Sequence, residues 1–148
     1  MLKKIITVYA LALAVLASGC VSVPMASPER DSAAKTFTVK PDKANIYVYR
    51  NETLGAAMKM PIVLNGKLVA DTASMTYLLL EVPPGSHKLV SKTENDATLM
   101  LNADAGRNYF IWQEAKMGGF APRSALHLVD ESTGKAGIKE CKLIEVAQ

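Results

Sequence analysis

From Ala44 onward, apolar residues recur at every second position in short runs, and each run is closed by turn-forming residues. A period of two sends successive side chains to opposite faces of an extended strand, so the chain is committed to β-structure. In "NIYVYR", Ile46 and Val48 alternate with Tyr47 and Tyr49. "MPIVLNGKLVAD" joins two apolar runs through Asn65-Gly66, the pair best suited to the positive φ angles of a two-residue hairpin turn. "MTYLLLEV" meets "HKLVSKT" across Pro83-Pro84-Gly85-Ser86, and "ATLMLNA" meets "YFIWQEA" across residues 104–108. "SALHLVDE" follows a Gly118-Gly119 loop. About seven or eight short strands at this spacing predict an all-β fold, a two-sheet antiparallel β-sandwich. The tail "STGKAGIKECKLIEV" reads equally as a short helix or a last strand. Residues 43–148 suffice for one core and one domain. Its predicted core is Leu78, Leu80, Val82, Leu99, Leu101, Ile111, Leu126 and Leu128, with the single tryptophan, Trp112, as a half-buried wall residue.

The first residues obey different rules. Lys3 and Lys4 precede an apolar run from Ile5 to Ala17, and small residues follow. That three-part order is the pattern of a secretory signal. The run is also too short for a permanent span, which needs about 20 apolar residues. Ala17 and Gly19 suit a cut before Cys20. The sequence "LASGC" resembles the lipobox of bacterial lipoproteins, although leucine usually stands one position closer to the cysteine. The resemblance implies that residues 1–19 are a removable lipoprotein signal peptide and that Cys20 is lipidated. It also places the chain in the bacterial cell envelope, tied to the membrane by a lipid anchor. A thiolate is the nucleophile such chemistry needs, and two or more acyl chains anchor stably where one does not. Val21 rather than Asp follows Cys20, which by resemblance to the usual sorting rule points to the periplasmic face of the outer membrane. Residues 20–42, with Pro24, Pro28 and Pro41 among small and polar side chains, read as a flexible tether. The alternation in "KTFTV" suggests that its end, Phe37 and Val39, docks as a short strand.

Several motifs follow one another in a recognisable order. They are "YVYR" (47–50), "LNGK" (64–67), "VPPGSHKL" (82–89), "AGRNYFI" (105–111), Arg123 with "LHLVD", and Cys141-Lys142-Leu143. Together they resemble a family of bacterial lipoproteins catalogued only as a domain of unknown function, a small β-sandwich similar to Pro-Glu-Gly-Ala-type domains. The resemblance implies a fold and a location. It implies no catalytic residue, substrate or cofactor.

The residues themselves offer little chemistry. The formal charge is +3, and Lys3 and Lys4 supply two of those charges. The remaining chain is nearly neutral and gives nucleic acid no electrostatic footprint. His87 and His127 stand far apart without the clustered His, Cys or carboxylate neighbours of a metal site. Asp130-Glu131 and the looser pair Glu94 and Asp96 read as solvated turn charges. Cys141 reads as a buried small hydrophobe, left without a partner if Cys20 carries lipid. The stretch "KMGGFAPR" stands out, because Met117, Phe120 and Arg123 flank a loosened Gly118-Gly119 pair. It is the candidate partner-binding loop, although Phe120 could instead fold back onto the core. The sequence therefore predicts a non-catalytic, membrane-anchored module that binds an envelope protein or peptidoglycan. The alternative is a small enzyme or ligand binder with a site assembled from loops.

Overall fold

The computed structural model describes residues 21–147. The alternating runs become nine strands: β1 (Ala44–Arg50), β2 (Met60–Leu64), β3 (Lys67–Thr72), β4 (Thr76–Val82), β5 (Gly85–Lys92), β6 (Asp96–Ala103), β7 (Asn108–Lys116), β8 (Arg123–Val129) and β9 (Lys142–Leu143). Two helices accompany them, α1 (Pro28–Ala34) and α2 (Glu131–Glu140). The strands form a five-stranded sheet in the order β8-β7-β1-β4-β9 and a four-stranded sheet in the order β3-β2-β5-β6. This is the all-β sandwich read from the sequence. Its larger sheet is mixed, because β1 pairs with β7 and β4 with β9 in parallel. Parallel neighbours need a long crossover, which alternation within a strand cannot reveal.

Strand β1 shows how the layers assemble. Every residue in it is buried, because both of its faces are covered. Ile46 and Val48 point between the sheets and join Ile62, Leu78, Leu89 and Ile111 in an aliphatic core. Tyr47 and Tyr49 point the other way and meet Tyr77, Phe110 and Ile138 under the helices. Each such ring removes roughly 150–250 Å² from water, which explains why this sheet carries a second layer. Of the predicted core, Leu78, Leu80, Val82, Leu101 and Ile111 are buried, while Leu99 and Leu126 are partly so. Leu128 is 53% exposed. It lies on β8, an edge strand, so alternation gave its register but could not supply a neighbour. Between the sheets, the Thr72 hydroxyl donates to Gln113 Oε1 (2.5 Å), and Gln113 Nε2 donates to Ser91 Oγ (2.7 Å).

The ambiguous tail contains both elements. Asp130 caps α2 by accepting from the Thr133 N–H at 2.9 Å. A Cβ at Gly134 would collide with the Phe110 side chain, and one at Gly137 with the Tyr49 ring. Glycine weakens a helix by about 1 kcal/mol relative to alanine, yet here it lets the helix backbone lie directly on the aromatic face. The chain then enters β9.

The flexible tether expected at 20–42 is not what residues 21–42 form. Ser27 caps α1, with Pro28 in its first turn. Asp31 fastens that helix to the domain, accepting from the Tyr77 hydroxyl (2.8 Å), the Leu143 N–H (3.0 Å) and Lys35 Nζ (2.9 Å). Tyr47 donates to the Ala34 carbonyl at 2.9 Å. Val23 is buried in the inter-sheet core, and Met25 bridges to Ile144. Phe37 docks as expected, though through its ring rather than as a strand. It has a φ of 57° and packs 5.4 Å from Tyr47 and 5.8 Å from Phe110. Composition showed that the segment cannot fold alone. It could not show that the domain supplies the missing partners. Among the described residues, no helix is long and apolar enough to cross a membrane.

Candidate functional site

Strands β1 and β7 run parallel, with Tyr49 paired to Trp112, so Arg50 and Lys116 lie toward one end of the sandwich. Two loops meet there, residues 51–59 and 117–122. Each is tied to the rest of the fold by charged side chains. Arg50 is wholly buried and donates through Nη1 to the Met58 carbonyl (3.1 Å) and through Nη2 to those of Leu54 (3.3 Å) and Gly55 (3.0 Å). Burial lowers its pKa, but a guanidinium stays charged in proteins. Glu52 accepts from the Ala115 N–H and so ties the first loop to β7.

Glu94, in the turn between β5 and β6, holds the second loop. Its Oε2 accepts from the backbone N–H groups of Gly119 (3.1 Å), Phe120 (3.4 Å) and Ala121 (3.2 Å). Arg123 lies 3.6 Å from its Oε1. These donors, Ala121 first, hold the Glu94 carboxyl below its ordinary range. Gly118 admits no side chain, since a Cβ there would collide with the Ala121 carbonyl oxygen and Glu94.

The result is an apolar surface. Leu54, Met58, Met117 and Phe120 are all exposed, Phe120 completely. They line one shallow cleft of about 260 Å³. Of the three residues singled out in the sequence, Met117 and Phe120 project from the loop, while Arg123 turns to Glu94. Leu54, Met58, Glu94 and Arg50 were missed. A leucine and a methionine in a turn-rich stretch were the available signal for the first two. Nothing local announces a carboxylate that serves a loop 25 residues away.

The other candidate residues serve structure. Asn65 Oδ1 accepts from the Lys88 N–H at 2.8 Å, which turns its Nδ2 toward His87 Nδ1 at 3.0 Å. His87 Nε2 donates to the Pro83 carbonyl at 2.7 Å, so a neutral ring satisfies both contacts. It therefore clamps the turn at 65–66 to the turn at 83–84. His127 lies 2.8 Å from Glu114 Oε2 and stacks on Trp112, which is half-buried as expected, with ring centroids 5.1 Å apart. Cys141 is buried, its Sγ 3.4 Å from the Arg50 carbonyl oxygen, and burial pushes its pKa up to about 12. Asp130 is a helix cap, not half of an acidic pair. Among the described residues, no group of three or more His, Cys, Asp or Glu could hold a metal ion. Cys20, the candidate lipidation site, lies outside the described residues, as does the signal segment 1–19.

Residues 40–125 match the family described as "Protein of unknown function (DUF2846)". An uncharacterized protein of Haemophilus influenzae is 33% identical over 134 residues, covering 88% of this chain and 79% of its own length. No solved structure matches the chain. The match spans the strands from β1 to the start of β8 and includes both clamped loops, and on that extent the chain belongs to the DUF2846 family of proteins of unknown function.

Proposed function

We propose that the mature protein begins at Cys20 and is anchored by acyl chains on that residue to the periplasmic face of the outer membrane. There it acts as a non-catalytic interaction module that offers the Leu54, Met58, Met117 and Phe120 surface to an envelope protein. The observation that carries this reading is Phe120, fully exposed on a loop whose backbone is fixed by Glu94. A large apolar side chain held out in water by a dedicated clamp is a contact residue waiting for a partner. Four apolar side chains favour another protein surface over peptidoglycan, whose sugars and charged peptides call for polar donors and acceptors. His87 and Cys141 support the non-catalytic reading, since both are already engaged in holding the fold.

The test has two arms in intact cells. A clickable fatty acid should label the wild type and not Cys20→Ser; equal labelling would remove the anchor. A photo-crosslinking residue placed at Phe120 should capture one discrete protein, and the Met117→Ser, Leu54→Ser pair should reduce that product several-fold. A crosslink pattern unchanged by the pair would show that the surface is not the contact.

A further inference from the structure

Val23 is a plug, buried at 7% exposure between the sheets, and only Val21 and Ser22 separate it from Cys20. Fully extended, the three steps from the Val23 Cα to the Cys20 Cα span at most about 11 Å. This argument rests on the lipid-anchor reading of Cys20. If acyl chains sit in the hydrocarbon, the cysteine lies at its border, beneath a headgroup layer roughly 5–8 Å thick. That leaves the Val23 Cα at most about 3–6 Å above that layer, so the part of the domain around the plug is held against the headgroups.

The strand directions say which face is pulled down. Strand β9 runs parallel to β4, so the tail from Lys142 heads toward the Val82 end. The arm pairs antiparallel to that tail through Met25 and Ile144, and the Glu145 N–H donates to the Pro24 carbonyl. Traced back from Met25, the chain leaves the domain near the Val82 end, at the edge beside β3. Leu68 is 53% exposed there. Pro24, Leu68, Val146 and Ala147 line a mainly apolar cleft of about 330 Å³. Of its two carboxylates, Asp71 and Glu145, the second is paired with Arg30 at 2.5 Å. The Phe120 loop lies at the Arg50 end, a strand length away, and seven residues of β1 span roughly 23 Å.

We infer that the face formed by Pro24, Leu68, Val146 and Ala147 rests on the bilayer surface, so that the domain stands in one orientation with its Phe120 loop directed away from the lipid. The contact follows from the shortness of the link, with exposed apolar side chains where the headgroups arrive.

The experiment uses the full, acylated protein purified from membranes and reconstituted in phosphatidylethanolamine and phosphatidylglycerol vesicles. Leu68→Cys and Phe120→Cys each receive a fluorophore; both positions are exposed, and Cys141 is sealed from the reagent. Mass spectrometry of the same sample reports the lipid on Cys20. Quenching by a headgroup-proximal spin-labelled lipid should be several-fold stronger at Leu68 than at Phe120, with iodide quenching in the reverse order. A lipid-bearing protein with equal or inverted quenching would overturn the orientation and leave the anchor standing. A protein without lipid on Cys20 would overturn the anchor, and the orientation with it.

Discussion

The two ends of the sandwich are built on opposite principles. At the Val82 end the chain reverses within residues 65–66 and 83–84, with Asn65 at φ 49° and Gly66 at φ 86°, and His87 joins the two turns. At the Arg50 end it also passes through the longer loops 51–59 and 117–122; Arg50 and Glu94 hold these from outside them, and Glu52 ties the first to β7. The turns of the first end are specified by neighbours in sequence, the long loops of the second by contacts with other parts of the fold. Clamped loops can hold Phe120 and Met117 in water without unravelling.

If that contrast is real, the largest loss comes from the Arg50 clamp. Arg50→Met should keep the buried volume but strand three carbonyl groups, lowering stability by about 3 kcal/mol or more, as read by urea denaturation. A loss below about 1 kcal/mol, the scale of one ordinary hydrogen bond, would mean the loop holds itself. At the opposite end, Gly66→Val forces a β-branched residue to positive φ and should destabilise by roughly 1–3 kcal/mol. An unchanged melting temperature would show that the tight end does not depend on its turn.

Glu94 gives the smallest global effect and the sharpest local one. Its folded pKa is depressed, so its contribution is fully present above the ordinary glutamate value of about 4.3 and fades as pH falls through the lower folded value. Amide exchange at Gly119, Phe120 and Ala121, corrected for its intrinsic pH dependence, should therefore lose protection on acidification. Glu94→Gln should produce the same loss at neutral pH while the denaturation midpoint stays in place. A loop equally protected in the variant would assign its order to something other than this carboxylate.

The same contrast explains what could be read in advance. The Asn65-Gly66 hairpin was legible because a two-residue turn is dictated by the residues that make it. The strands were legible because alternation is local, and Leu128 misled because alternation says nothing about whether a second sheet lies opposite. Helix α1 was read as a tether because the groups that hold Asp31 come from Tyr77, 46 residues on, and Leu143, 112 residues on. The candidate loop was legible from Met117, Phe120 and the glycine pair. Its clamp was not, since Glu94 sits in an unremarkable polar turn. Cys141 was placed correctly as a buried residue, because an unpaired cysteine behaves as a small hydrophobe.

The stitch between the arm and the tail bears on how the chain acquires its fold. Met25 pairs with Ile144, Arg30 with Glu145 and Asp31 with Leu143, so these residues find their partners more than 110 positions later in the chain. The central strand β1 likewise waits for β7, which begins with Asn108. Contacts this distant must close long loops before any stabilisation is returned, which makes folding slow. The molecule therefore cannot mature progressively from its N-terminus as it emerges. Until the tail arrives, Val23 and the aromatic face of β1 remain uncovered, the kind of transiently exposed apolar surface that makes a folding chain prone to aggregate.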